Sequence, residues 1–362
     1  MRKALGIASK FRCGGALLIS ASLLGCHAHE VPLDWRTDCV GRMMVAFPSD
    51  IDVAAATLAD IQKYSDPPSS SFVDQQPAPW SDLGYLGGVR VVHGLDAEKL
   101  NALIKRWADG RDKFRSDASA KKNAAPYKDL SVAPHEGFAF QAQGVRYLTT
   151  KFGEYIFTWD GFSGVGEKRA QEEFDIVIGG LQPRSLYAVP AMPGVCLPYA
   201  FIRDDGTRRR YIAMTYRLRK HPDVTILLKD QNAVETDPKA NPAVYDPEGI
   251  SDAFWSRYDS TYRQSLKSVW SDPYRRIKLA DSKGVESFVK IVREDGSVDH
   301  GYLVVARGDP YAKQDTPDLM LYVIQHAKNA RAKGIEPVTK EAFIEMAQTI
   351  AASVKRRPIT PP

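Results

Sequence analysis

Two serines sit in near-matches to a hydrolase elbow. Gly161-Phe-Ser163-Gly-Val165 carries valine where the elbow needs its last glycine, and Gly249-Ile-Ser251-Asp-Ala253 carries alanine. The strained strand-to-helix turn has little room for either side chain, so the plain readings are a Gly-rich turn and a helix start. Ser119-Ala-Lys-Lys122 fits Ser-x-x-Lys, whose two fixed positions arise by chance in a chain of 362 residues. Metal chemistry has no better footing. His27 and His29 are neighbours, whereas His93, His135, His221, His300 and His326 are scattered. The chain has no His-Glu-x-x-His, Walker A or Rossmann glycine pattern. The expectation is therefore no catalytic residue, no metal, no cofactor and no small-molecule substrate.

The N-terminus carries a different kind of signal. Arg2, Lys3, Lys10 and Arg12 form a basic start with no acidic residue, and an apolar stretch from Cys13 to Gly25 follows. That stretch is too short for a lasting membrane span and reads as a signal peptide, residues 1–25. It ends Leu23-Leu-Gly-Cys26, which resembles a bacterial lipobox, so Cys26 is the expected lipidation site. His27 follows where an inner-membrane retention signal would have Asp. The expected location is the periplasm, on an outer-membrane lipid anchor. Without the four leader charges, the 49 basic residues fall to 45 against 44 acidic ones. Such a balance argues against nucleic-acid binding, which favours a strongly basic domain.

Cysteine usage follows from the compartment. Cys13 leaves with the leader and Cys26 takes lipid, leaving Cys39 and Cys196. They are either two buried thiols or a disulfide, and an oxidising space favours the disulfide. A bridge closing about 160 residues is worth roughly 5 kcal/mol in the chain-entropy model.

These cysteines each open a lobe. Residues 26–33 form a tether, 34–183 an N-terminal lobe, 184–195 a proline-rich hinge and 196–358 a C-terminal lobe. A chain of this length exceeds the usual reach of a single core. In the first lobe, Gly41, Met43, Val45 and Phe47 alternate as a strand, and 64–88 reads as a long irregular loop. Leu100, Leu103, Ile104, Trp107 and Phe114 mark one helix face behind an Asp96 cap. Three strands broken at Gln143-Gly144 and Gly153-Glu154 then lead to a helix ending near Gly179-Gly180. The second lobe repeats the order. Strands from Cys196 to Leu228 precede a polar loop at 230–247 and a helix opened by Asp246-Pro247. Three more strands and a helix capped by Thr339 finish it. The expected class is α+β: two lobes, each a mostly antiparallel sheet with helices packed on one face, in an order that suggests duplication.

Arg208-Arg-Arg210 is a tight basic cluster after a hairpin turn. It reads as a solvated hairpin end or, alternatively, as a grip for an acidic partner. At Cys39-Val-Gly-Arg42 with Phe47-Pro48, and at Gly194-Val-Cys196 with Tyr199-Ala-Phe-Ile202, the chain resembles a family. This is the two-domain group of immunity proteins that neutralise class 4 phospholipase effectors of type VI secretion. The resemblance implies an inhibitor, not an enzyme. It implies a cognate phospholipase held between two lobes, with lid opening or substrate access blocked, and a Cys39–Cys196 crosslink would hold the lobe angle. The alternatives are an envelope ligand-binding or assembly lipoprotein without catalytic activity, and a degenerate hydrolase using Ser163 or Ser251. The leader reading predicts that radiolabelled palmitate marks the protein and that Cys26→Ser abolishes the label; equal labelling of both would overturn it.

Overall fold

The computed structural model describes residues 30–62, 70–120, 126–162, 164–235, 246–262 and 265–359. The leader with Cys26, and Ser163, lie outside these residues. The long loops expected at 64–88 and 230–247 lie partly outside them.

The first half contributes β1 (Arg36–Val40), β2 (Met43–Phe47), β3 (Ile51–Val53), α1 (Leu58–Gln62), β4 (Asp82–Tyr85), β5 (Gly87–Val92) and α2 (Ala97–Ala120). It continues with β6 (Lys128–Leu130), β7 (Glu136–Ala142), β8 (Val145–Phe152), β9 (Tyr155–Gly161), α3 (Glu167–Gly180) and β10 (Leu181–Pro183). The second half contributes β11 (Gly194–Leu197), β12 (Ala200–Arg203), β13 (Arg210–Leu218), β14 (Val224–Gln231), α4 (Pro247–Tyr262), β15 (Ser265–Ser268) and β16 (Arg275–Leu279). β17 (Ser282–Val292), β18 (Val298–Ala306), β19 (Asp318–Gln325), α5 (Ala327–Arg331), α6 (Lys340–Ser353) and β20 (Lys355–Arg356) complete the chain.

The α+β class and the mostly antiparallel sheets are as the alternating patterns require. One sheet of 14 strands runs through both lobes. Its two parts join where β13 pairs with β4 in the register Arg210↔Tyr85, Tyr211↔Gly84, Ile212↔Leu83 and Ala213↔Asp82. The other end of β13 pairs with β3. Residues 36–53 thus dock on second-half elements. β2 also pairs with β20, and its Ala46 N–H donates to Ser353 Oγ of α6 at 2.9 Å.

The helices, expected on one face, are divided between two. Consecutive strand residues point to opposite faces, and both sets are apolar here. In β18, Leu303 and Val305 pack with Trp255 and Tyr258 of α4. Tyr302 and Val304 pack with Phe343 and Ile350 of α6. In the first lobe, Val92 and Ile156 meet Leu100 and Leu103 of α2, while Val91 and Phe157 meet Phe174 and Val177 of α3. Two-sided coverage suits the apolar runs of β18 and β19. The caps form where their residue types predict. Asp96 accepts from Lys99 N at 2.9 Å, and the Thr339 side chain accepts from Ala342 N.

Cys39 and Cys196 are bonded, with Cα atoms 5.8 Å apart, and both are fully buried. The bridge joins β1 to β11 across 157 residues of chain. Replacing both cysteines with alanine is expected to cost about 2–5 kcal/mol in urea denaturation. A loss below about 1 kcal/mol would leave the crosslink energetically idle.

Candidate functional site

The β1–β2 turn places Gly41 against Cys196, with backbone hydrogen bonds of 2.9 and 2.8 Å in the two directions. Gly41 has φ +55°, and a Cβ there would fall 2.3 Å from Asp230 Oδ2. Glycine therefore lets the Asp230 carboxylate sit on the turn. Asp230 Oδ2 accepts from Arg42 N at 2.7 Å and from Arg210 Nε at 2.7 Å, and Oδ1 accepts from Arg210 Nη2 at 2.8 Å. Arg210 Nη2 also reaches Asp315 at 2.8 Å. Arg42 Nη2 donates to Asp204 at 2.9 Å, and the Tyr85 hydroxyl donates to the same carboxylate at 2.7 Å.

Arg210 and Asp230 have no exposed side-chain surface. Burial opposes the Arg210 charge, but Asp230 and Asp315 more than offset it and hold the guanidinium protonated. Burial likewise raises the Asp315 carboxyl, yet the Arg210 hydrogen bond and the Arg210 and Arg42 charges bring it below its ordinary value.

This corrects the expected basic patch. Arg210 cannot touch a partner, because its strand position turns it into the protein, where buried Asp230 and half-buried Asp315 occupy it. Arg208 and Arg209 remain exposed, with Arg208 Nε paired to Asp205 at 3.1 Å. The proline-rich segment is also held in place. Arg184 pairs with buried Asp38 and donates to Leu197 O at 2.9 Å. Asp38 accepts from Tyr187 N at 3.1 Å and from the Tyr216 hydroxyl at 3.2 Å. Arg357 donates to Met192 O and Gly194 O, both at 2.6 Å. Residues 184–195 are thereby pinned at several points along their length.

Beside this fixed junction lies an open floor. Directly paired residues share a face, so the register across β13, β4, β5 and β9 puts Tyr211, Gly84, Gly88 and Asp160 on one side. Asp82, Arg90 and Thr158 join them there. α2 and α4 stand on this same face, so they flank the floor. Its residues are partly or fully exposed, and Tyr211 is 38% exposed. Gly84 and Gly88 keep the floor low; a Cβ at Gly88 would come within 3.1 Å of the Asp160 carboxylate. The result is a cleft with helical walls and a glycine-lined aromatic and charged base.

Sequence reasoning missed the floor residues. Their signal was the alternation of Tyr211-Ile-Ala-Met214 and the cluster Gly84, Gly87, Gly88. Ser251 is buried in α4, where its hydroxyl lies 2.9 Å from Ser287 Oγ, which also accepts from Trp255 Nε1 at 2.9 Å. That contact fastens α4 to β17.

This two-lobed fold is shared with immunity proteins of the type VI secretion system. The immunity protein TplEi from Pseudomonas aeruginosa, solved alone and complexed with an "L" peptide, aligns with a TM-score of 0.55. The alignment has 16% identity and covers 90% of this chain and 98% of that one. A chain of the Tle4–Tli4 complex aligns with a TM-score of 0.56 and 17% identity, over 90% of this chain and 98% of that chain. More particularly, residues 188–241 match the family described as Tle cognate immunity protein 4, C-terminal domain. The matched segment carries Cys196, Asp204, Arg210 and Asp230 of the buried junction. No curated protein matches the chain.

Asp230→Ala strands Arg210 and the Arg42 amide, and is expected to cost about 3–5 kcal/mol in urea denaturation. The depressed Asp315 carboxyl contributes stability above its ordinary value of 3.8, and this is lost as pH falls through the lower folded value. Acid titration of Asp315→Asn should therefore show a shallower stability loss below about pH 4 than the parent. Identical acid profiles would show that the carboxylate adds nothing.

Proposed function

We propose that the chain is a periplasmic immunity protein that binds and inhibits a phospholipase effector of type VI secretion. The carrying observation is the fold, shared along 90% of the chain with immunity proteins, one of them solved as the Tle4–Tli4 complex. The family match at residues 188–241 points the same way. Inhibition needs no catalytic residue in the inhibitor, and Ser251 serves packing in this chain.

In this reading the effector enters the cleft between α2 and α4. Exposed Tyr211 and the Arg90 side chain give the base an aromatic and a cationic contact, residue types that dominate binding energy at interfaces. The pinned junction presets the cleft, so little conformational freedom is lost on binding. Holding the effector there would block opening of its lid or access of its substrate. A lipid on Cys26 would keep the inhibitor at the outer membrane, in the compartment where an incoming phospholipase acts.

The test is co-expression with a periplasmically targeted phospholipase encoded nearby. Cells are expected to survive only with the parent protein present. Tyr211→Ala is expected to weaken the purified complex about tenfold or more, with the melting temperature nearly unchanged. Equal killing with and without the protein would overturn the reading for that effector. Unaltered affinity in both Tyr211→Ala and Arg90→Glu would remove the cleft floor as the contact surface.

A further inference from the structure

Where α4 overhangs the sheet beside the cleft, a half-open pocket of about 280 Å³ remains. Leu227, Ile250, Phe254 and Met320 give it apolar walls, and Trp80, Tyr211, Lys229 and Arg257 line it too. The Trp80 indole N–H is buried and has no hydrogen-bond partner among the described residues. Lys229 Nζ lies 4.5 Å from the centre of the Tyr211 ring, and among the described residues no carboxylate pairs with it. Asp318 and Asp82 act on it only from a longer range, and Asp318 itself is paired with Arg307 at 3.2 Å.

A half-buried ammonium whose carboxylates act only from a longer range is incompletely compensated. Burial accordingly lowers the Lys229 pKa from its ordinary value. A ligand bringing a negative charge and acceptor oxygens would relieve both deficits at once, and its apolar part would replace water along the remaining walls. A purely apolar ligand would leave both donors stranded, and a doubly charged phosphate would place excess charge beside hydrocarbon.

We propose that this pocket binds a single-chain carboxylate amphiphile, a free fatty acid, with its head at Lys229 and Trp80 and its tail along Leu227, Phe254 and Met320. The site is a ligand site with no reaction attached. It shares Tyr211 with the proposed effector contact but does not rest on that reading, because its test uses the purified chain and a small amphiphile alone.

The test uses the mature chain carrying Cys26→Ser, so that no detergent is needed. Dodecanoate, dodecanol and dodecyltrimethylammonium are titrated below their micelle concentrations, with heat and tryptophan fluorescence as readouts. Dodecanoate is expected to saturate one site, dodecanol to bind roughly tenfold more weakly, and the cation not to bind. Lys229→Met keeps the chain length and is expected to bring dodecanoate down to the level of dodecanol. Ala253 of α4 also lines the pocket, and Ala253→Trp, which fills it, is expected to abolish both. Absence of saturable dodecanoate binding, or equal binding of dodecanoate and dodecanol by the parent, would overturn the proposal. So would a folded Lys229→Met variant that still prefers the carboxylate. Should Lys229→Met fail to fold, the comparison of the three parent titrations decides.

Discussion

The Arg210–Asp230 pair is the interaction on which the remaining structure depends. It is bidentate, wholly buried, and extended by Arg42, Asp204 and Asp315. Buried ion pairs are poor sources of net stability, since desolvation consumes most of the attraction. What this one fixes is position. It collects the β1–β2 turn, the start of β13, the end of β14 and the residue 315 loop at a single point, and Tyr85 adds β4 through Asp204. A slip of one residue in β13 would swing Arg210 to the opposite face and take its guanidinium away from both Asp230 and Asp315. The register that joins the two halves of the sheet is therefore written in charge as well as in hydrogen bonds.

Much of the local structure was legible in the sequence, because its causes are local. Alternation in Tyr211–Tyr216, the turns at Gln143-Gly144 and Gly153-Glu154, and the caps Asp96 and Thr339 all depend on neighbours within a few residues. The disulfide partners were legible by elimination within the oxidising compartment. The pairing of β13 with β4 was not legible, since strand alternation says which face is buried and nothing about which strand lies alongside. Arg210 was misread for a related reason. A basic triplet after a turn looks solvated until its strand register is known, and that register turns only its last member inward. The division of helices between two faces was not foreseen, although runs such as Leu319–Ile324 are apolar without a break, as strands buried on both sides are.

The cleft and the buried junction share strand β13. Its residues alternate between the ionic pair and apolar packing on one face and the open floor on the other, so Arg210 and Tyr211 are adjacent in sequence yet serve opposite surroundings. In the proposed effector reading, a rigid base next to an exposed aromatic would let a folded partner be recognised without rearrangement. The apolar pocket with Lys229 lies on that same face one strand further along. This placement gives a single sheet surface two neighbouring recognition chemistries, one wide and shallow, the other narrow and amphiphilic.

The pairing of β2 with β20 has a consequence for biogenesis. β2 is among the first strands synthesised, and its partners Lys355–Arg356 and Ser353 are almost the last. The opening segment must therefore wait, with Val45 and Phe47 uncovered, until nearly the whole chain has emerged. Long-range closure of this kind is entropically slow and leaves intermediates exposed to aggregation. Early capture of Cys39 by Cys196 would shorten the search, because it brings the waiting strand to the second half before the final helix arrives.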